Sequence, residues 1–129
     1  MEAGYSGTPQ QRKLGVEPGM RVAAIGAPDG FAARLEDARV TAQLRGSFEL
    51  IVFFATSVEQ LERRMAALMR ARSERGRLWI AWPKRSSGLA SDLDDGVVRR
   101  LGLATGLVDN KVCAIDETWS ALRFVARRA

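Results

Sequence analysis

Residues 15–31, GVEPGMRVAAIGAPDGF, contain a strand and a turn that narrow the choice of fold for the whole chain. The segment RVAAIGA is apolar and rich in small residues, as is typical of a strand covered on both faces. Glycines and a proline follow at once, and Phe31 and Leu35 then have the spacing of a short amphipathic helix. A buried strand that leads through such a turn into a helix predicts an α/β domain in which the turn backbone can approach a ligand closely.

The segments on either side of this strand are less regular. Residues 1–7 are small and polar, and we expect them to form a loosely ordered arm. Thr8 is suited to cap a first helix, with Pro9 in its first turn and Gly15 at its end. After the first strand, ARVTAQL at residues 38–44 contains β-branched residues and predicts a second, shorter strand.

The clearest buried strand is SFELIVFFAT, residues 47–56, which is dense in large apolar side chains. Ser57 and Gln60 have the spacing of a capping box, which marks the beginning of a helix. Apolar residues then recur at helical spacing from Val58 onwards until Gly76 ends the pattern. We therefore expect a long helix that packs on the sheet.

The last part of the chain predicts a strand, a helix and a hairpin. GRLWIAW, residues 76–82, is the strand, and the aspartates of residues 92–95 favour the beginning of a helix. VDNKVCAI and SALRFVAR, residues 108–115 and 120–127, are separated by only four residues and predict an antiparallel hairpin.

Strands that alternate with helices require right-handed crossovers, and these produce a mainly parallel sheet covered on both faces. The final hairpin adds one reversed strand to that sheet. We predict one domain over residues 1–129, with a three-layer α/β, Rossmann-like fold of about six strands.

The chain has no histidine and a single cysteine, Cys113. Histidine is the commonest general base and metal ligand, so its absence argues against Ser/His and Cys/His hydrolases and against a metal site. One cysteine cannot form an internal disulfide, and no basic segment followed by an apolar run opens the chain, so we expect a cytoplasmic protein. The longest apolar run, residues 50–55, is much shorter than a membrane span.

A formal charge of +5 favours anionic partners through long-range attraction. Much of the positive charge lies in one stretch, as Arg63, Arg64, Arg70, Arg72, Arg75 and Arg77. The solvated side of a helix explains such a run, because arginine is a good helix former. Nucleic-acid binding through the same arginine-rich helix is the alternative.

The candidate ligand site lies at the carboxyl ends of the parallel strands, where ligands bind in open α/β sheets. The residues that we place on this rim are Gly26, Pro28, Asp29, Gly30, Thr56, Trp82, Lys84, Asp116, Glu117 and Trp119.

Lys84 is expected to meet Asp116 or Glu117 there, and with the two tryptophans they could bind a small planar or anionic molecule through stacking and charge. The alternative is commoner in proteins: the lysine and the carboxylates form an ion pair that closes the hairpin, and the tryptophans fill the core.

GVEPGMRVAAIGAPDG resembles the first-strand region of class I S-adenosylmethionine-dependent methyltransferases, and residues 48–128 resemble their later half with its reversed last strand. The resemblance implies S-adenosylmethionine as the cofactor. However, AAIGAPDG replaces the acidic residue and the G-x-G run of those enzymes. Arg45 and Gly46 follow the second strand, where the family has an acidic residue for the ribose, and the strand and helix that usually come next are missing.

Four strings, YSGTP, GAPDGF, WPK and VCAIDETWSALRF, also resemble a family of small bacterial proteins known as a domain of unknown function. They begin at residues 5, 26, 82 and 112 and span most of the chain. That family implies no activity or ligand.

Because the cofactor-binding parts depart from the methyltransferase pattern, we expect a non-catalytic module that binds a small ligand or regulates another protein, with no cofactor. A divergent S-adenosylmethionine-dependent methyltransferase is the alternative, and a basic nucleic-acid-binding protein is the second alternative.

Overall fold

The computed structural model describes residues 9–128 of the chain. Six strands form the sheet: β1 (Arg21–Ile25), β2 (Arg39–Thr41), β3 (Phe48–Phe54), β4 (Arg72–Pro83), β5 (Val108–Ala114) and β6 (Trp119–Val125). The helices are α1 (Gln10–Leu14), α2 (Val58–Ala71) and α3 (Asp95–Leu103), with short 3₁₀ helices at Ala32–Arg34 and Arg85–Ser87. None of the described helices is long and apolar enough to span a bilayer.

The strands lie in the order β2-β1-β3-β4-β6-β5. The first four are parallel, as when Ala23 of β1 lies beside Ile51 of β3. β6 is antiparallel to both β4 and β5. The predicted mixed sheet of six strands with a terminal antiparallel hairpin is therefore confirmed.

The sheet carries apolar side chains on both faces, because alternate residues of each buried strand point in opposite directions. α2 and α3 cover one face through residues such as Leu61 and Val98. α1 and the segment after β1 cover the other face through Leu14 and Phe31. The Trp79 side-chain N–H donates to the Leu14 carbonyl at 2.9 Å, which fixes α1 over the middle of the sheet.

The connection from β1 to β2 is more compact than predicted. The helix expected around Phe31 and Leu35 is a single 3₁₀ turn, closed by bonds three residues apart, although both side chains are buried. The second strand, predicted over residues 38–44, contains only three residues. The Thr41 hydroxyl accepts from the backbone N–H of Gln43 at 3.2 Å, and this local bond turns the chain away from the sheet.

The end of α2 also differs from the prediction, since the helix ends at Ala71 rather than near Gly76. Arg72 already pairs with Phe48 in the sheet, and a bulge follows in β4. A Cβ on Gly76 would lie 2.6 Å from the Phe48 carbonyl oxygen. Gly76 is therefore required by the close approach of two strands, and strand pairing overrides the helical pattern.

Of the two predictions for the ends of α1, the one for its C-terminal end is confirmed. Gly15, at φ +83°, ends the helix in the left-handed conformation. Pro9 precedes its first residue, whereas the capping role predicted for Thr8 and the arm predicted for residues 1–7 lie outside the described residues.

Candidate functional site

Four segments meet at the carboxyl ends of the parallel strands and form what we call the carboxyl rim: residues 26–30, 55–57, 83–84 and 115–118. Backbone hydrogen bonds hold neighbouring segments together. The Ala55 N–H donates to the Ala81 carbonyl at 2.9 Å, and the Lys84 N–H donates to the Thr118 carbonyl at 2.8 Å. The loops that the sequence placed on one rim therefore adjoin in the structure.

The loop after β1 needs glycine at its first position. Gly26 has φ +69°, and a Cβ there would lie 3.1 Å from the Phe54 carbonyl oxygen. Gly30 has φ +86° with open space around it, and Asp29 is exposed. The loop thus presents bare backbone and one carboxylate to solvent at the end of a central strand.

The end of β2 presents no carboxylate, because residues 42–48 are AQLRGSF. Gln43 is exposed there, and its side chain forms no hydrogen bond with the residues that the structure describes. Its amide group can both donate and accept hydrogen bonds.

The first turn of α2 is capped by side chains of this chain. Ser57 Oγ accepts from the Gln60 N–H at 3.1 Å, and Gln60 Oε1 accepts from the N–H of Thr56 at 2.8 Å, so the predicted capping box is confirmed. Asp92 Oδ1 accepts from the Val58 N–H at 2.8 Å. Thr56 itself is exposed on the rim.

The predicted contact of Lys84 with Asp116 or Glu117 is not formed. Asp116 Oδ1 instead accepts from the backbone N–H groups of Thr118 and Trp119, each at 2.8 Å, and so closes its own turn. Glu117 is exposed. The hairpin is joined to β4 at this point by the backbone of Lys84, whose side chain forms no ion pair within residues 9–128.

The two rim tryptophans lie on opposite faces of the sheet, and both are buried. Trp82 packs on the α2 side. Trp119 packs on the α1 side, where its ring meets Phe54 edge-to-face at 5.1 Å, and Phe54 meets Phe31 in the same way at 5.0 Å. The tryptophans fill the core, as the alternative proposed, and Phe31, Phe54 and Trp119 form an apolar floor below the loop after β1.

The structure adds a cleft beside the predicted rim. A cleft of about 390 Å³, which we call the β4 cleft, lies at the carboxyl end of β4 and is lined by residues 83–85 and 89–94. Lys84 and Arg85 bring positive charge to it. Of its aspartates, Asp92 caps α2, and Asp94 caps α3 by accepting from the Val97 N–H at 2.9 Å. The aspartates before α3 could be seen in the sequence, but the path of the loop that forms the cleft could not be predicted from it.

The arginine-rich stretch does not form one helix face. Arg63 pairs with Glu59 on α2, and the Arg64 guanidinium lies 5.7 Å from the centre of the Phe53 ring. Arg72 and Arg77 belong to β4 and donate to backbone carbonyls, Arg77 to that of Gly15 at 3.3 Å. The predicted helix face is therefore divided between two elements.

No family model matches the sequence, and no curated protein matches it. Solved structures match by fold. A 1,6-didemethyltoxoflavin-N1-methyltransferase from Burkholderia thailandensis has a TM-score of 0.66 and 12% identity, over 92% of this chain and 75% of that chain. A SAM-dependent methyltransferase from Aquifex aeolicus has a TM-score of 0.64 and 13% identity, over 90% and 87%. The N-methyltransferase NodS from Bradyrhizobium japonicum WM9 has a TM-score of 0.59 and 14% identity, over 92% and 83%.

These matches establish the fold: a six-stranded, methyltransferase-like Rossmann fold with an antiparallel end pair. They also correct two predictions. We predicted a non-catalytic module without a cofactor, but the matched proteins are methyltransferases, and two of the three were solved with S-adenosylhomocysteine. The comparisons favour the methyltransferase alternative and S-adenosylmethionine as the cofactor. At this level of identity the likeness shows the fold alone, so the activity of this chain is a proposal.

Proposed function

We propose that this protein binds S-adenosylmethionine at the carboxyl rim and transfers its methyl group to an acceptor. The observation that carries the proposal is the match of nearly the whole sheet, with its reversed last strand, to S-adenosylmethionine-dependent methyltransferases. When bound, the cofactor would supply a methyl group on a positively charged sulfonium: a nucleophile of the acceptor would bond to the methyl carbon, and neutral S-adenosylhomocysteine would be the leaving group.

The loop of residues 26–30 is the part of this chain suited to hold the cofactor. Its backbone is exposed, Gly26 has no side chain to block a close approach, and Gly30 is open to solvent. The buried floor of Phe31, Phe54 and Trp119 keeps the loop in place and excludes water from below. These features fit a cofactor held mainly by backbone groups.

Gln43 is our candidate for the ribose contact. The resemblance assigns this contact to an acidic residue at the end of the second strand, and in this chain Gln43 is the first polar side chain after β2. An amide oxygen can accept from a ribose hydroxyl but carries no charge, and hydrogen bonds to charged groups are stronger. We infer that the cofactor is bound, and less tightly than a carboxylate would bind it.

The β4 cleft is our candidate for the acceptor. It adjoins the rim at Lys84, and its lining contains two cations, Lys84 and Arg85, and two carboxylates, Asp92 and Asp94, so its net charge selects neither an anionic nor a cationic acceptor. The chain has no histidine, and we propose that a carboxylate accepts any proton that the acceptor loses. Asp29 is the exposed carboxylate in the loop after β1 and is our candidate for that base.

The resemblance to the small bacterial family supports the same location. GAPDGF lies in the loop after β1, WPK at the end of β4, and VCAIDETWSALRF across the terminal hairpin. Three of the four strings thus lie on or beside the carboxyl rim. We include in the proposal that this family shares the rim site and that the protein is cytoplasmic, which its single free cysteine suits.

Titration calorimetry with S-adenosylhomocysteine tests the proposal. We expect saturable binding, weakened by Gln43→Ala and tightened by Gln43→Glu, because the second substitution restores a charged acceptor. Arg45→Ala is the matched control on the same loop: its side chain is exposed, and only its backbone carbonyl bonds to Arg21.

Absence of binding by wild-type protein that unfolds cooperatively on heating would contradict the proposal. If Arg45→Ala and Gln43→Ala weaken binding equally, the cofactor still binds to the protein, but Gln43 is not its ribose contact.

A further inference from the structure

A second charged region lies on the α1 face of the sheet. We call it the α1 basic cluster, and its members are Arg12, Lys13, Arg77, Lys111 and Arg123. Lys111 and Arg123 are neighbours across β5 and β6. A Cβ on Gly15 would lie 2.8 Å from an Arg77 nitrogen and 3.4 Å from an Arg123 nitrogen, so both guanidinium groups converge on the end of α1.

Four members of this cluster, Arg12, Arg77, Lys111 and Arg123, form no ion pair with the residues that the structure describes. Within residues 9–128, neither Arg77 nor Arg123 forms an ion pair; Arg77 donates to the Gly15 carbonyl, and Arg123 donates to Asn110 Oδ1 at 2.9 Å. The pKa of Arg123 is lowered, first by burial and then by the nearby charge of Arg77. Like charges held this close repel one another, and a bound anion would relieve the repulsion.

Two carboxylates near the cluster are already engaged. Asp37 accepts from the Gln11 side-chain amide at 3.0 Å, and Asp109 pairs with Arg99 at 2.9 Å. Arg12 and Lys111 are exposed and form no ion pair in the described part of the chain. Arg12 and Lys111 are therefore open to an anion from solution.

Three members of the cluster, Arg12, Lys13 and Lys111, line a cavity of about 340 Å³ between α1 and β5. Its lining consists of Arg12, Lys13 and residues 111–114. Cys113, buried in the strand, contributes an apolar surface to it. This volume lies in the lower part of the range for small-molecule sites.

We propose that this cavity is a second ligand site, which binds a small organic phosphate with two or more negative charges. Guanidinium groups match phosphate oxygens in geometry and charge, and Arg12 and Lys111 are placed to hold the phosphate. The apolar lining suits the organic part of the ligand. A nucleic acid would need cations along an extended stripe, whereas here three of the five cations line one recess.

ADP and inorganic pyrophosphate are the probes, titrated into the full chain at low ionic strength and followed by calorimetry and by backbone amide NMR. We expect both to bind, with amide shifts at residues 111–114, and ADP to bind more tightly because it also contacts the apolar lining. Arg12→Gln and Lys111→Gln should each weaken ADP binding by about tenfold. Both side chains are exposed, so folding should be unaffected.

Arg63→Gln on α2 removes the same charge from the opposite face and should change ADP affinity less than about twofold. Equal weakening by Arg63→Gln, or shifts spread over the whole surface, would show that only net charge is attracted and would overturn the proposal. So would a lack of binding by both probes. An oligonucleotide that binds to the protein and is not displaced by pyrophosphate would overturn the proposal, because it would indicate a nucleic-acid surface instead.

This site is independent of the carboxyl rim. S-adenosylhomocysteine should bind equally to wild type and to Lys111→Gln, so failure of the phosphate site is distinguishable from failure of the proposed methyltransferase function.

Discussion

The Asp92 carboxylate accepts a hydrogen bond from the backbone N–H of Val58 at 2.8 Å. This bond joins the loop before α3 to the first turn of α2, so the two helices that cover the same face of the sheet are tied together beside the rim. The N–H groups of a first helical turn have no partner within the helix, and a carboxylate also suits the positive end of the helix dipole.

Replacement of Asp92 should therefore destabilise the fold. We expect Asp92→Ala to lower the free energy of unfolding in urea by about 1–2 kcal/mol, because an N–H group then loses a charged acceptor. Glu117→Ala, which removes an exposed carboxylate from the hairpin loop, should change that free energy by less than about 0.5 kcal/mol. Equal effects of the two substitutions would contradict the assigned role of Asp92.

Two glycines of α3 should respond in opposite directions to the same substitution. A Cβ on Gly102 would overlap the Phe124 ring, so Gly102→Ala should lower the free energy of unfolding by about 1–3 kcal/mol. A Cβ on Gly96 would have only the Asp94 carboxylate within 4 Å, at 3.5 Å. Gly96→Ala should stabilise the protein by about 0.5 kcal/mol through helix propensity. Thermal and urea unfolding of both variants would test the packing of α3 on β6.

Lys84 should stabilise the hairpin through its backbone and not through its side chain. Lys84→Ala keeps the N–H that donates to Thr118 and should change the free energy of unfolding by less than about 0.5 kcal/mol. Lys84→Pro removes that N–H at a residue whose φ of −66° already suits proline, and it should cost about 1–2 kcal/mol. A large loss with Lys84→Ala would instead support an ion pair at this position.

Cys113 should react slowly with thiol reagents. Burial raises the pKa of its thiol, while the charges of Lys13 and Lys111 partly oppose that change. Less thiolate is therefore present at neutral pH than for a free thiol, and the rate of alkylation by iodoacetamide should still be rising above about pH 9. Lys111→Gln removes one of the opposing charges and should slow the reaction further. Alkylation as fast as that of a free cysteine would contradict this account.

Elements with strong local signals could be predicted from the sequence. β3 is a continuous run of buried apolar residues, and α2 begins at the capping box of Ser57 and Gln60, so neither depends on distant parts of the chain. The terminal hairpin was equally clear, because its two alternating segments are separated by only a few residues.

Element ends set by strand pairing could not be predicted in the same way. α2 ends at Ala71 because Arg72 pairs with Phe48, and the apolar spacing of the helix contains no sign of that partner. β2 is short because Thr41 bonds to its own turn. In both cases a contact made by the folded chain overrides the local pattern.

The candidate site was predictable in location but not in its contacts. The turn after the first strand indicated a backbone open to a ligand at Gly26; the positive φ of Gly26 and its close approach to Phe54 are findings of the structure. The expected partner of Lys84 was wrong, because Asp116 satisfies its own turn; the short Asp-x-Thr spacing was the available signal. The methyltransferase-like fold was recognised from the sequence and is confirmed, but the missing acidic residues led us to predict no cofactor, which the matched structures contradict.

The central claim is that S-adenosylmethionine binds at the carboxyl rim. Titration of ¹⁵N-labelled protein with S-adenosylhomocysteine, followed by amide NMR, tests it most directly. We predict saturable shifts at residues 26–30 and 42–43, with the amides of residues 111–114 unchanged. No shift at the loop after β1 at saturating ligand, or shifts confined to the α1 basic cluster, would contradict the claim.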